Sequence, residues 1–124
     1  MHRNQSIKVV GIVGLLGVAL GAFGAHGLKG SLSGEMMTVY QTGVLYHLIH
    51  SAALAGLVLG SDRLWTSPWA KRICIAWVVG IVLFSGSLYI LAITEIKVLG
   101  AITPLGGVAF MLGWLMVCFL RVPT

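Results

Sequence analysis

Tyr46, His47 and His50, three side chains within five residues, carry most of the chemistry in this sequence. Spacings of three and four place them on one face of a helix. Two imidazoles at i and i+3 can serve one metal ion, but a catalytic zinc takes a third protein ligand and a bis-histidine haem takes its ligands from opposed helices. His26 is the nearest further imidazole, and the three acidic residues, Glu35, Asp62 and Glu95, fall in loops. A metal- or haem-binding protein using His50 with His47 or His26 is therefore the alternative reading; no metal ligand set and no cofactor is assigned. Ser85 and Ser87 have no GxSxG context, and neither HExxH, paired carboxylates nor a phosphate-binding glycine loop is present. The expectation is that the protein is not an enzyme.

The elements that position these groups follow from composition. Of 124 residues, 58% are hydrophobic and only 9% charged, against roughly 25% charged in a soluble domain. Four apolar stretches, about 9–27, 39–59, 73–93 and 98–120, each match the length a helix needs to cross the hydrocarbon core. Short connections make sequence neighbours antiparallel neighbours. The expected fold is all-α, a four-helix transmembrane bundle forming one integral membrane domain over 1–124. Thr38 with Gln41 reads as a capping box opening the second helix, and Ser67-Pro68 as an N-cap and first helical residue of the third. Pro104, inside the fourth stretch, predicts a kink or a helix start. Cys74 and Cys118 are isolated.

Orientation follows from the basic residues. Arg3, Lys8, Arg63, Lys71, Arg72 and Arg121 share one side, against Lys29 and Lys97 on the other, which puts both termini in the cytoplasm. Trp65, Trp69, Trp77 and Trp114 are expected at or near that inner interface. The net charge of +5 is dispersed, so no nucleic acid is expected as a partner. Arg3 and Lys8 followed by an apolar run and Ala22-Phe23-Gly24-Ala25 also fit a secretory signal. The uncleaved first helix is preferred because its glycines make sense only if it stays and packs.

Those glycines, Gly11, Gly14, Gly17, Gly21 and Gly24, recur every three or four residues and mark a helix-packing face. Gly56, Gly60, Gly106 and Gly107 offer further contact points on the second and fourth helices. The face can meet another helix of the chain, a second copy or another membrane protein, and a groove for a lipid tail is the functional alternative.

At about 1.5 Å of rise per residue, Tyr46, His47 and His50 lie roughly 10–17 Å below the outer end of the second span. On the same scale Ser85, Ser87 and Tyr89 lie roughly 6–13 Å down the third, and Thr103 roughly 7 Å down the fourth. His26 sits just above them. Because polar groups facing lipid are costly, these eight residues predict a polar pocket in the outer half of the bilayer. The pocket is read either as hydrogen bonding between helices or as a binding site for a small solute, lipid headgroup or proton.

Leu20-Gly21-Ala22-Phe23-Gly24-Ala25-His26, Thr42-Gly43 with Tyr46 and His50, Leu83-Phe84-Ser85-Gly86-Ser87-Leu88-Tyr89, and Thr103-Pro104-Leu105-Gly106-Gly107-Val108 together resemble the YgdD-like family. These are small, uncharacterised bacterial membrane proteins with eukaryotic relatives. The resemblance runs through all four stretches in order. It implies a multi-pass protein of the bacterial plasma (inner) membrane, and carries over no catalytic residue or cofactor. The family pattern fits His26, Tyr46 and His50 without requiring histidine at position 47, so a site built on His47 and His50 would be peculiar to this chain. The resulting expectation is a non-enzymatic binding, transport or accessory component whose partners are membrane lipid and other membrane-embedded chains.

Overall fold

The computed structural model describes residues 2–122. Its elements are α1 (Arg3–His26), α2 (Gly34–Leu59), a short α3 (Asp62–Trp65), α4 (Pro68–Gly80), a π-helical turn (Ile81–Ser85), α5 (Gly86–Thr94), a 3-10 turn (Lys97–Ala101) and α6 (Thr103–Val117). Four stretches are long and apolar enough to cross a membrane: Arg3–His26, Gly34–Leu59, Pro68–Thr94 and Lys97–Val117.

Two of these begin well before the starts that the apolar runs and cap signals indicate. α1 starts at Arg3, whose guanidinium donates to the carbonyls of Val58 (3.0 Å) and Gly60 (2.8 Å) and meets the Asp62 carboxylate. A cation on the last carbonyls of α2 is favourable, so the basic N-terminus is helical and tied to the far end of its neighbour. α2 starts at Gly34, with Ser33 rather than Thr38 as its N-cap; the Ser33 hydroxyl accepts from the Met36 amide at 3.1 Å. Thr38 lies inside the helix and donates to the Gly34 carbonyl at 3.0 Å, the back-bonding by which a mid-helix threonine satisfies its hydroxyl.

Ser67 and Pro68 open α4 as expected, with the Ser67 hydroxyl accepting from the Trp69 amide at 3.3 Å. The helix then runs unbroken into α5 through the π turn, an irregularity with no signature in the local sequence. Pro104 resolves as a helix start: the 3-10 turn ends at Ala101, and the proline occupies the first turn of α6, where its missing N–H costs nothing.

Glycines set how closely these helices approach. A Cβ on Gly17, Gly21 or Gly24 would meet His47 and Leu48, Val44, or Tyr40 respectively. Gly11 and Gly14 have no neighbour within 4 Å among the described residues. The reason is angular. Steps of four and three from Gly17 hold one face, whereas two successive steps of three back to Gly14 and Gly11 precess around the helix by about 60° each. On the other side of the molecule Gly80 receives the Phe110 ring, Gly113 receives the Trp77 indole, and Gly106 backs directly onto the Phe84 main chain. Gly107 makes only ordinary contact with Phe84, and Gly56 has no neighbour within 4 Å among the described residues.

Trp77 corrects the tryptophan reading. It is 3% exposed, within a core that includes Leu54, Val58, Ile73, Cys74, Ile81 and Phe110. The notch left by Gly113 takes the ring inward; Trp65 and Trp69 lie at helix ends. A second, smaller core joins Leu28, Tyr40, Tyr89 and Ala92.

Candidate functional site

His47 reaches from α2 to both flanking spans. Its Nε2 lies 2.8 Å from the Val13 carbonyl of α1, and its Nδ1 lies 2.8 Å from the Tyr89 hydroxyl of α5. A carbonyl only accepts, so Nε2 carries the proton and Nδ1 accepts from tyrosine. The approach depends on Gly17: a Cβ there would stand 3.2 Å from His47 Cδ2, crowding the ring away from the Val13 carbonyl.

His50 holds the opposite tautomer. Its Nδ1–H donates to the Tyr46 carbonyl at 2.8 Å, while Nε2 accepts the Trp114 indole N–H of α6 at 2.9 Å. Phe110 stacks on the imidazole with ring centroids 3.7 Å apart, and Trp77 meets it edge-on. The two histidines thus face different neighbours, His47 towards α1 and α5 and His50 towards α6. All four ring nitrogens have protein partners, and among the described residues no three His, Cys, Asp or Glu side chains gather to hold a metal.

The remaining expected residues divide accordingly. Ser87 and Thr103 join α5 to α6 through their hydroxyls at 2.6 Å, and Ser87 also donates to the Phe84 carbonyl of the π turn at 2.9 Å. Ser85 is fully buried, with no hydrogen-bond partner among the described residues. Tyr46 is 39% exposed, its ring against Phe84 and Phe110. His26, in the last turn of α1, is exposed and apart from the others.

Two cavities replace the single expected pocket. The first, about 450 Å³, has Leu16 and Leu20 of α1, His47 of α2, and Ile81, Ser87 and Tyr89 of the third span on its walls, and reaches Leu99 and Ile102. Val82, Ile90 and Leu16 at its border are 63%, 52% and 49% exposed, so it opens onto an apolar surface. The second, about 270 Å³, is bounded by Tyr46, His50, Phe84, Phe110, Met111 and Trp114. Depth is also redistributed. His50 is roughly 24 Å along the 26-residue α2, past its middle, and it bonds to Trp114, a tryptophan expected at or near the inner interface.

Sequence reasoning missed Val13, Phe110 and Trp114. A signal existed for the last: an indole N–H inside an apolar span needs an acceptor, and His50 is an acceptor at compatible depth. Val13 contributes only a backbone carbonyl, which no residue type announces.

Comparison with known proteins bears on most of the chain. A family described as "Protein of unknown function (DUF423)" matches residues 20–107. The UPF0382 membrane protein YwdK of Bacillus subtilis is 49% identical over 92 residues, 73% of each chain. A UPF0382 membrane protein of Haemophilus influenzae is 37% identical over 117 residues, 94% of this chain and 93% of the relative. The UPF0382 inner membrane protein YgdD of Escherichia coli is 41% identical over 74 residues, 60% of this chain and 56% of the relative. No solved structure matches the chain.

Proposed function

This chain belongs to the UPF0382 (DUF423) family of membrane proteins, a multi-pass protein of the inner membrane, and we propose that it is a non-enzymatic component that binds a lipid-like molecule in the cavity between α1 and the third span. The observation that carries the reading is the cavity itself. Its volume of about 450 Å³ and apolar walls, bordered by His47, Ser87 and Tyr89, fit the usual form of a small-molecule site, mostly hydrophobic with a few orienting polar groups. Exposed Val82 and Ile90 at its border allow entry from the bilayer. An acyl or prenyl chain lies along the leucines and isoleucines.

A binding role is favoured over catalysis by the bonding of the polar groups. His50 Nε2 accepts from the Trp114 indole N–H, which is not a nucleophile, and the Tyr89 hydroxyl that donates to His47 Nδ1 is buried between helices. Antiparallel neighbours and cytoplasmic termini belong to the same proposal. The pairings Gly17 with His47, Gly21 with Val44 and Gly24 with Tyr40 run in opposite directions along α1 and α2, and the basic residues supply the sidedness.

A cavity-filling variant tests the proposal. Gly86 lines the cavity, and a Cβ there meets nothing closer than the Ile81 carbonyl at 4.0 Å. Gly86→Leu is expected to keep the fold and to abolish retention of a fluorescent acyl-chain probe by the purified protein. Full retention by a folded Gly86→Leu variant would contradict the assignment.

A further inference from the structure

A cavity of about 560 Å³ lies at the other end of the third and fourth spans, where Thr66, Ser67, Pro68 and Trp69 face Cys118, Phe119 and Arg121. We infer that it is a site for the headgroup of an anionic phospholipid, with Arg121 and the Ser67 hydroxyl contacting the phosphate and the Trp69–Phe119 pair carrying the upper acyl chain.

The walls are divided in the way such a molecule is divided. On the apolar side the Trp69 and Phe119 rings stack at 5.3 Å, and Phe119 and Leu115 remain 52% and 56% exposed, continuing the apolar surface into the hydrocarbon. On the polar side Arg121 lines the cavity, and the Arg72 guanidinium lies 4.9 Å over the Trp69 ring, beside it. Ser67 uses its oxygen to accept from the Trp69 amide, which leaves its O–H to donate. Thr66 already donates to the Arg63 carbonyl at 2.6 Å and serves only as an acceptor.

Charge selects the ligand class. None of the three acidic residues borders the cavity: Asp62 is held by Arg3, and Glu35 and Glu95 lie at the opposite ends of α2 and α5. Basic pockets between spans at the membrane surface suit anionic headgroups, and guanidinium matches phosphate geometry better than ammonium does. A lipid is favoured over free phosphate because the aromatic half of the cavity adjoins the hydrocarbon and gives nothing to a bare anion. The inference is independent of the cavity between α1 and the third span and of its occupant.

Native mass spectrometry of the intact chain, titrated with phosphatidylglycerol or phosphatidylcholine in detergent, tests it. One phosphatidylglycerol should bind in preference to phosphatidylcholine, and Arg121→Ala should weaken it by about tenfold or more, the worth of a charge-assisted hydrogen bond. Arg121→Lys should recover part of the loss. Lys97→Ala, at the opposite end of the spans, should bind like the parent chain. Equal binding of both lipids, no effect of Arg121→Ala in a variant with unchanged thermal unfolding, or an equal loss in Lys97→Ala would each overturn the site. Displacement of phosphatidylglycerol by an equal concentration of inorganic phosphate would overturn the lipid as its occupant.

Discussion

Trp114 of α6 donates its indole N–H to His50 Nε2 of α2 at 2.9 Å, joining two helices through a pair of side chains 64 positions apart. Phe110, one turn before Trp114, stacks on the same imidazole at 3.7 Å. The imidazole is therefore oriented by a donor at one nitrogen and a ring across its face, and its second nitrogen is bonded to its own helix.

Removing the donor should cost what an interhelical hydrogen bond is worth in a membrane protein. Trp114→Phe leaves His50 Nε2 without its partner, and the expected loss is about 0.6–1.7 kcal/mol. A double-mutant cycle with His50→Phe, followed by unfolding in detergent, should give a combined loss smaller than the sum of the single losses. Simple additivity would show that the two residues do not interact.

The His47–Tyr89 bond gives a second, independent cycle. Tyr89→Phe keeps the ring packed against Tyr40 but leaves His47 Nδ1 unpaired, with an expected cost of about 1 kcal/mol. The same substitution combined with Trp114→Phe should be additive, because the two histidines face different helices. Strong coupling between those two changes, measured by unfolding, would indicate one joint polar network.

Glycines that look alike in sequence should behave oppositely. A Cβ at Gly106 falls 2.2 Å from the Phe84 backbone nitrogen, a contact that no rotamer change relieves. Gly106→Ala is expected to destabilise by about 1–3 kcal/mol or more. Gly14→Ala, in open space, should be neutral or stabilising by about 0.5–1 kcal/mol. Thermal unfolding of the two variants in one detergent checks the ordering.

The contrast also marks how far the sequence could be read. Apolar length and the sparse charges were sufficient for four membrane-crossing helices, and Ser67-Pro68 and Pro104 marked two helix starts, because these signals are local. Ser33 lost to Thr38 as the expected cap because the hydrophobic pattern begins late; helix formation before Val39 depends on the Ser33 hydroxyl taking up the Met36 amide. The candidate site was legible as a set of residues but not as a geometry. Depth along a span is additive in sequence, whereas the direction each imidazole takes depends on Gly17, Gly113 and the π turn, all set by contacts with another helix. So His47, Ser87 and Tyr89 share one cavity, while Tyr46 and His50 border another.

The proposed sidedness has a direct check. Cysteines placed singly at Lys29 and Arg63, both exposed, should differ in intact cells: Lys29→Cys should react with an impermeant maleimide and Arg63→Cys should not. The reverse pattern would contradict cytoplasmic termini.

Occupancy of the cavity between α1 and the third span is the most direct test of the functional reading. Organic extracts of protein purified in mild detergent should contain one dominant apolar molecule at near one per chain, measured by mass spectrometry. Gly86→Leu should lose it while Gly14→Leu, away from the cavity, retains it. Equal content in both variants, or a bulk-lipid profile in the parent protein, would contradict a specific binding site between α1 and the third span.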